Sequence, residues 1–282
     1  MFLILHNPLS KNKKSKKNTK KILDYLKRHN IPCVIRSSLK IENLNEYLNE
    51  RPQITKLLIV GGDGSVNYFI NHVNFNEIKQ EIYLIKNGSG NDFLRTLKPI
   101  NTSNVDIFKV ESNNKTHKFA NGCGFGLDAL IAHKANQSKH KNKLSYLTSA
   151  VSSVIQFKPT KAKLEIDNEK YEFNKCYFVT MQNGKYFGGG MKITPQAKLD
   201  DNMLDVVVVH NVSKLFILFV FLTVYLGLHT KFKKFVFYKQ GTNIKAEMDC
   251  PMYMQTDGEI HNNISSVTVT KEENITFNSF NK

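Results

Sequence analysis

The fold is decided by one stretch, Leu57-Leu58-Ile59-Val60-Gly61-Gly62-Asp63-Gly64-Ser65-Val66-Asn67. Its branched apolar run is long enough for one buried parallel strand, and a helical pattern follows over residues 66–73. Glycines at a strand–turn–helix junction let the backbone approach a ligand, and the amides at the helix start favour an anion. The stretch therefore predicts a phosphate-binding turn, in which Asp63 would place a divalent cation or a transferring phosphoryl group. The alternative is a plain connection whose glycines serve geometry alone.

A second glycine-rich turn follows another apolar strand. Asn87-Gly88-Ser89-Gly90-Asn91-Asp92-Phe93 comes after a strand predicted at residues 81–85 and again opens a helix. Two phosphate-compatible turns are stronger evidence than one lone glycine-rich turn. The sequence contains neither G-x-x-x-x-G-K-[ST] nor G-x-G-x-x-G, so it offers no Walker A site and no dinucleotide fingerprint.

The pattern around these turns indicates a parallel sheet. Strands predicted at the N-terminus and at residues 32–36 and 55–60 alternate with helices, the first of which is rich in lysine. Such alternation favours a sheet covered on both faces, whose ligands bind beyond the carboxyl ends of the strands. Residues 7–10, Ser38 and both glycine-rich turns fall at that edge. The lysines are either a solvated face or an attractant for nucleotide or lipid phosphates.

Composition indicates a globular protein with an anionic partner. The chain has 282 residues, 41% of them hydrophobic, which favours two domains with real cores. The net charge of +16 calls for nucleic acid, a membrane surface or a phosphorylated substrate, and charge alone does not choose among them. The four cysteines lack C-x-x-C spacing, so they predict neither a zinc site nor a disulfide framework and fit a reducing cytosol.

Two apolar segments are assigned to the fold. The N-terminal run has no basic residues before it and no small-residue cleavage site, so a strand is predicted there instead of a signal peptide. Residues 215–228 fall short of the roughly 20 residues that cross a bilayer, so a buried or interfacial helix is predicted. Because Lys231, Lys233 and Lys234 follow it, the segment is either an apolar face with a cationic flank or a core helix before a solvated turn.

The second half of the chain has a different texture. A glycine-rich link at residues 120–129 and a basic helical stretch are followed by short predicted strands, a pattern that suggests a β-sandwich after a boundary near residue 120. The strands are predicted at residues 162–166, 171–173, 177–182, 204–209, 235–238, 244–248, 252–256, 267–270 and 275–277.

Two acidic stretches in this half are candidate sites. Asp200 and Asp201 could hold a hard cation together with nearby carbonyls, although spacing alone favours a simple turn before the next strand. Asp257 and Glu259 flank a glycine at a predicted strand end. A carboxylate placed there can serve as general base for a hydroxyl nucleophile, and the alternative is a bare Asp-Gly turn.

Together these motifs resemble the family of soluble bacterial diacylglycerol kinases and related lipid kinases. The resemblance rests on both glycine-rich turns, Gly124-Phe125-Gly126-Leu127-Asp128-Ala129, residues 188–195 with Leu199-Asp200-Asp201, and Asp257-Gly258-Glu259, in this order. It implies a Rossmann-like, NAD-kinase-type three-layer α/β domain over residues 1–120. A C-terminal β-sandwich domain would cover residues 121–282, with the alternative that the last residues return to the first domain. A nucleotide would bind in the inter-domain cleft.

The resemblance also implies roles for particular residues. Asp257 and Glu259 match the catalytic Asp-Gly-Glu, in which either carboxylate is a candidate base, and Asp63, Asp92 and Asp128 match acidic positions near the nucleotide and its magnesium. A separate bound magnesium is implied at Asp201 with the carbonyls of Lys198 and Met203. The implied nucleotide-binding residues are Asn7, Ser10, Ser38, Gly61, Gly62, Asp63, Gly64, Ser65, Val66, Asn67, Ser89, Asn91 and Asp92.

Three positions depart from the family pattern. Lys11 and Asn202 stand where glycine is usual, and Asn87 stands where a small or apolar residue is usual. Asparagine tolerates positive φ better than most residues, so the turn at Asn202 can survive. None of the departures removes a carboxylate that the chemistry needs.

The sequence thus predicts an ATP- and Mg²⁺-dependent lipid kinase, with diacylglycerol preferred over sphingoid or other lipid alcohols as acceptor. Its expected partners are the lipid substrate and anionic phospholipid at the inner face of the membrane, to which a cytoplasmic protein would bind peripherally, with a homodimer as a further expectation. A soluble-substrate kinase of the NAD-kinase type should lack the second turn and the Asp-Gly-Glu. A nucleic-acid-binding protein is disfavoured because no aromatic-interleaved basic stretch is visible. A non-enzymatic nucleotide sensor remains an alternative.

Overall fold

A computed structural model describes residues 1–7, 13–87, 90–97, 102–137 and 143–280, without the side chains of residues 13–16 and 143–147. The chain divides into two compact units. Unit 1 comprises residues 1–105 and 274–282, and unit 2 comprises residues 106–273. No helix within the described ranges is long and apolar enough to cross a membrane.

The first elements alternate between strands and helices, as the sequence predicts. They are β1 (Phe2–His6), α1 (Lys13–Arg28), β2 (Cys33–Ser37), α2 (Leu44–Asn49), β3 (Lys56–Gly61), α3 (Asp63–Asn71), β4 (Glu81–Lys86), α4 (Asp92–Thr96) and β5 (Thr102–Ser112). Single 3₁₀ turns lie at Ser38–Lys40 and Phe75–Glu77.

The remaining elements are mostly strands. They are β6 (Lys115–Phe119), β7 (Gly122–Gly126), α5 (Leu127–Gln137), α6 (Lys143–Gln156), β8 (Thr160–Ile166), β9 (Glu169–Gln182), β10 (Leu204–His210), α7 (Lys214–Val224), β11 (Val236–Gly241), β12 (Ile244–Thr256) and β13 (Glu259–Ser279), with a 3₁₀ turn at Leu228–Lys231.

Unit 1 is built on a parallel sheet. β3 lies between β1 and β4, β1 also pairs with β2, and the last residues of β13 pair with β4, all in parallel. The branched side chains of β3 make it a central strand, because they are buried on both faces. Ile22 and Leu26 of α1 close one side of this core. The carboxyl ends of β1 to β4 therefore reach a common edge.

Unit 2 is built on antiparallel strands. β11, β10, β9, β7, β12 and β13 follow one another in this order, and β8 pairs with both β9 and β12. One apolar core lies among these strands. A second packs the inward residues of α5, α6 and α7 against β9 and β10. The predicted fold class, an α/β domain followed by a β-rich domain, is confirmed.

Several predicted elements differ from the structure. The strand pairs predicted at 171–173 with 177–182 and at 244–248 with 252–256 are the single strands β9 and β12, and the two short strands predicted at 267–270 and 275–277 are parts of β13. Register shifts interrupt the pairing of β12 with β13, and such bulges break the alternation that marks one long strand in a sequence. The glycine-rich link predicted at 120–129 is the buried strand β7 followed by α5.

Candidate active site

The carboxyl edge of the unit 1 sheet brings three predicted nucleotide residues together. Asn7 follows β1, Ser38 follows β2, and Ser65 lies in the first turn of α3 after β3. All three line one pocket. The Ser38 hydroxyl donates a 3.4 Å hydrogen bond to the carbonyl of His6, which ties the ends of β1 and β2 together.

The same pocket contains aromatic side chains that the sequence reading missed. Tyr68, Phe69 and His72 of α3 line it. The Tyr68 and His72 rings stack 4.0 Å apart between centroids, and the Tyr68 hydroxyl donates to the Ser38 carbonyl at 3.3 Å. The available signal was an i, i+4 aromatic pair one turn beyond the glycines. Their flat faces suit stacking against a heteroaromatic ring.

Asp63 connects the two glycine-rich turns of unit 1. Its amide donates to the Gly90 carbonyl at 3.1 Å, and its carboxylate accepts the amides of Asp92 at 2.8 Å and Phe93 at 3.2 Å. A carboxylate that receives the first amides of a helix neutralises the positive end of that helix. Asp63 therefore fixes the start of α4.

Asn87, at the start of the second glycine-rich turn, is held by hydrogen bonds to the first turn and to α1. Asn87 donates from its amide to the Gly61 carbonyl at 2.8 Å, and its side chain bonds to Asn18 and Thr19 of α1. Asn87, which departs from the family pattern, thus has a structural role. Its buried side-chain amide forms hydrogen bonds where the usual small or apolar residue would make apolar contacts. In the first turn of α4, Asp92 is buried and accepts from the Arg95 guanidinium at 2.7 Å.

The remaining predicted nucleotide residues divide into three groups. Ser10 and Ser89 lie outside the described residues. Val66 and Asn67 are buried in α3, so the apolar side chain of Val66 serves the core. Asn91 is buried immediately before α4, beside Asp92.

Two glycines of the first turn give a matched prediction. A Cβ on Gly61 would lie 2.0 Å from the Ser65 hydroxyl oxygen, whereas a Cβ on Gly64 would meet no atom within 4 Å. We expect Gly61→Ala to lower the unfolding temperature and to disturb the start of α3. Gly64→Ala should keep the unfolding temperature and weaken ATP binding about 10-fold or more, because only a ligand would approach that point. Calorimetric ATP titration and thermal unfolding of both variants check this, and equal ATP affinity in Gly64→Ala and the parent would contradict it.

In unit 2, Asp257 is held by backbone amides. Its carboxylate accepts hydrogen bonds from the amides of Ala120 (2.9 Å), Asn121 (3.0 Å) and Gly122 (2.9 Å), and its own amide donates to the Gly122 carbonyl. The residue adopts a φ of +49° in the turn between β12 and β13. Asp257 is therefore fixed in position before any substrate arrives. Glu259, two residues on, is exposed at the start of β13.

Asp128 is a buried carboxyl group in an apolar setting. It lies in the first turn of α5, lines an apolar cavity with Ile131 and Phe178, and approaches Gly124 so closely that a Cβ there would lie 2.4 Å from its Oδ2. Burial raises the pKa of Asp128 to about 7, against weaker opposing effects of the Ala129 amide and the Gln255 side chain. Within the described part of the chain, neither carboxyl oxygen has a partner at hydrogen-bond geometry.

Asp128 and Asp257 belong to one neighbourhood within unit 2. Burial is the main reason why the pKa of the Cys123 thiol is raised, and the charges of Asp257 and Asp128 both add to that rise. Cys123 lies in β7 opposite Thr256 of β12. The sequence motifs that contain Asp128 and Asp257 are thus brought to the same pair of strands.

A histidine pair that was not predicted from the sequence lies close to the β12–β13 turn that contains Asp257. His117 of β6 and His261 of β13 have ring centroids 4.1 Å apart, and His261 Nε2 lies 2.7 Å from the Thr256 hydroxyl. Burial, followed by the positive charges of His117 and Lys115, lowers the pKa of His261 to about 4. Neutral His261 therefore serves as a hydrogen-bonding partner of β12 near pH 7.

The turn at residues 198–203 is where the sequence predicts a bound magnesium, and its oxygen atoms can be compared with the ligands that Mg²⁺ prefers. Asp201 Oδ1 accepts the Met203 amide at 3.1 Å, and the pKa of Asp201 is raised mainly by burial and further by the charges of Asp106 and Asp200. Carboxylate and carbonyl oxygens suit Mg²⁺, and a dication would offset these clustered charges. The donor chemistry of Asp201 with the Lys198 and Met203 carbonyls therefore fits the ion.

Two features limit that fit. The Lys271 ammonium already lies 3.0 Å from Asp106 and also contacts the Asn202 side chain, so a protein cation shares the site. In the part of the chain that the structure describes, no group of three or more His, Cys, Asp or Glu side chains could hold a metal ion. Any metal near Asp128 or Asp201 would thus depend on backbone carbonyls, water or a ligand's own oxygens.

Comparison with known proteins identifies the family. Residues 1–122 match the model of the "Diacylglycerol kinase catalytic domain", and residues 122–273 match that of the "YegS C-terminal NAD kinase beta sandwich-like domain". The chain therefore belongs to the lipid kinase family that carries these two domains, and the resemblance read from the motifs is confirmed.

Individual relatives are distant. "Putative lipid kinase YtlR" of Bacillus subtilis is 25% identical over 218 residues, which cover 68% of this chain and 68% of that protein. "Diacylglycerol kinase" of Mycobacterium tuberculosis is 23% identical over 191 residues, 62% of this chain and 61% of that protein. A crystal structure titled as that of a "putative diacylglycerol kinase from Bacillus anthracis str. Sterne" superposes with a TM-score of 0.75 at 22% identity, covering 98% of this chain and 95% of that one. This last likeness shows the fold.

Proposed function

We propose that the protein transfers the γ-phosphoryl group of ATP, supplied with Mg²⁺, to the hydroxyl of a membrane lipid, with diacylglycerol as the preferred acceptor and phosphatidic acid as the product. The observation that carries this proposal is the convergence of Asn7, Ser38 and Ser65 on one pocket beside the Gly61–Ser65 turn. Family membership supports lipid as the class of acceptor. The protein would act as a peripheral enzyme at the cytoplasmic face of the membrane.

Unit 1 has the features that bind a nucleotide. The stacked Tyr68–His72 pair and the pocket hydroxyls would receive the base and ribose, and the open flank at Gly64 would receive the phosphates. Asp63 and Asp92 are the carboxylates nearest these turns and would face the magnesium that accompanies ATP. When bound, Mg²⁺ would supply positive charge against the phosphate oxygens.

Unit 2 has the features that prepare the acceptor. The lipid oxygen attacks the γ-phosphorus, the bond from that phosphorus to the ADP oxygen breaks, and the hydroxyl proton passes to a carboxylate. We assign that carboxylate to Asp257, because three amides fix its position, whereas the Glu259 side chain is exposed at its strand end. The transition state of phosphoryl transfer is loose, so a precisely placed acceptor contributes more than a strong base.

A panel of acceptors tests the proposal. The protein is incubated with γ-labelled ATP, Mg²⁺ and detergent micelles containing diacylglycerol, a sphingoid base or another lipid alcohol, and with NAD as a soluble acceptor. We expect the label in phosphatidic acid. Label in a sphingoid phosphate would identify the other lipid acceptor, and label in NADP would identify a soluble-substrate kinase. ATP binding with no transfer to any acceptor would overturn the proposal in favour of a nucleotide sensor.

A further inference from the structure

One exposed surface of unit 2 is apolar. Leu215, Phe219 and Leu222 follow the i, i+4, i+7 spacing of one side of α7 and are 82%, 53% and 64% exposed. Leu226, just beyond the helix, and Ile155, in the last turn of α6, are exposed as well. These five residues are called the α6–α7 face below. Exposed large apolar side chains gathered on one helix and the helix end beside it indicate an interaction site.

The opposite side of α7 is also apolar. Ile217, Val220 and Val224 are buried and line the cavity that contains Asp128. A helix that is apolar on both sides suits two apolar environments, here a protein interior and an outer partner. The alternatives read from the sequence, a core helix and an interfacial helix, thus correspond to two sides of the same element.

The chain segments that form the α6–α7 face carry charges of a single sign. The sequence has no Asp or Glu between Asp128 and Glu165, nor between Asp205 and Glu247, and these two stretches contain most of α5 and all of α6 and α7. Exposed lysines border the face. They are Lys214 at the start of α7, Lys158 after α6, and Lys231, Lys233 and Lys234 after α7.

We propose that the α6–α7 face docks on a lipid bilayer that contains anionic lipids. The inference rests on the proposed function, because a bilayer-resident acceptor requires the enzyme to reach the membrane surface. Apolar side chains flanked by lysines match the acyl boundary and anionic headgroups of such a surface. A second copy of the chain would bring lysines of the same sign together, so charge disfavours that occupant.

Vesicle flotation without ATP tests the docking surface. The full chain should bind vesicles of phosphatidylcholine with phosphatidylglycerol more tightly than vesicles of phosphatidylcholine alone. The triple variant Leu215→Gln, Phe219→Gln and Leu222→Gln should bind about 10- to 100-fold more weakly, because three apolar side chains no longer enter the interface. The double variant Lys233→Glu and Lys234→Glu should lose the preference for phosphatidylglycerol by about 10-fold or more.

Two controls separate this face from general charge and general stickiness. Lys163→Glu with Lys170→Glu makes the same charge change on exposed lysines of β8 and β9, and Leu39→Gln removes an exposed leucine of unit 1. Both controls should bind vesicles like the parent. If the Lys163/Lys170 variant loses as much binding as the Lys233/Lys234 variant, net charge and not this face governs binding, and the proposal fails. Thermal unfolding of each variant confirms that the fold is intact.

One further result would overturn the docking surface: the triple variant could bind vesicles like the parent. If sedimentation then showed a parent dimer that the triple variant loses, the face would be an interface between two copies of the chain. Neither measurement depends on turnover. Conversely, absence of phosphate transfer to any lipid in detergent micelles would refute the proposed function. It would not change the measured binding of the protein to vesicles.

Discussion

Replacing Asp128 by asparagine should make the protein more stable at pH 8 and should remove that advantage by about pH 4. Asp128 has a pKa of about 7 in the folded protein, against an ordinary value of 3.8. Between these values the folded protein binds more protons than the unfolded chain, so its stability falls as pH rises. Above pH 7 the full penalty is present, on the order of 4 kcal/mol. Asparagine carries no charge and avoids this penalty.

The net gain should be smaller than the penalty. A buried amide without partners costs about 1–2 kcal/mol, so Asp128→Asn should gain about 2–3 kcal/mol at pH 8 and be neutral or slightly destabilising at pH 4. Urea unfolding across this range measures the difference. Asp249→Asn makes the same substitution at an exposed position of β12 and is the matched control, which should change the free energy of unfolding by less than about 0.5 kcal/mol. A constant loss of stability at every pH in Asp128→Asn would contradict a raised pKa.

Magnesium gives the same experiment a second readout. A dication bound beside a carboxylate favours its charged form and lowers its pKa. If Asp128 contributes to a magnesium site, the stability advantage of Asp128→Asn at pH 8 should shrink when Mg²⁺ is added. The stability difference between Asp249→Asn and the parent should stay the same. An advantage that is independent of Mg²⁺ would remove Asp128 from the metal ligands. The measured quantity is the free energy of unfolding, so the test does not depend on enzymatic activity.

The sequence predicts the turns of unit 1 well, because their signals are local. The run before Gly61 and the glycines after it are adjacent in the chain, and a parallel sheet brings strand ends to one edge. What Asp63 does there could not be predicted. Its carboxylate accepts hydrogen bonds from the amides of Asp92 and Phe93, which lie 29 and 30 positions further along the chain, and neither residue type nor spacing encodes such a contact.

Unit 2 was harder to predict, because long strands with bulges look like pairs of short ones. β7 is the clearest case. Its glycines suggested a link, yet Gly124 lies in a buried strand, where a Cβ would collide with the Asp128 carboxylate and crowd the Val179 carbonyl. A sequence shows that a glycine is present but does not show which neighbour requires it. The raised pKa of Asp128 likewise arises from residues of several elements that surround it.

Asp257→Asn should reduce the rate of lipid phosphorylation far more than it reduces stability. The variant loses the charge that we assign to proton acceptance, so kcat should fall by about 10²- to 10⁴-fold. Asparagine keeps one oxygen that can accept from the Asn121 and Gly122 amides, and it tolerates the φ of +49°, but its NH2 group cannot accept from the Ala120 amide, so the loss of unfolding free energy should be about 2 kcal/mol. Phosphate transfer in micelles and urea unfolding measure the two quantities.

Asp257→Ala and Glu259→Gln complete the comparison. Alanine loses all three amide contacts and adopts positive φ at a cost, so it should lose the same activity together with about 3 kcal/mol or more of stability. Glu259→Gln, at the exposed position two residues on, should lower kcat less than 10-fold. If Glu259→Gln were the more damaging of the two conservative variants, Glu259 would be the base, and the three amides at Asp257 would serve only to hold the loop before β7. A carboxylate held by three amides can thus be compared with an exposed one two residues away. The Asn and Ala variants of Asp257 separate the loss of charge from the loss of contacts, because both remove the charge and only asparagine keeps an oxygen that accepts from the amides.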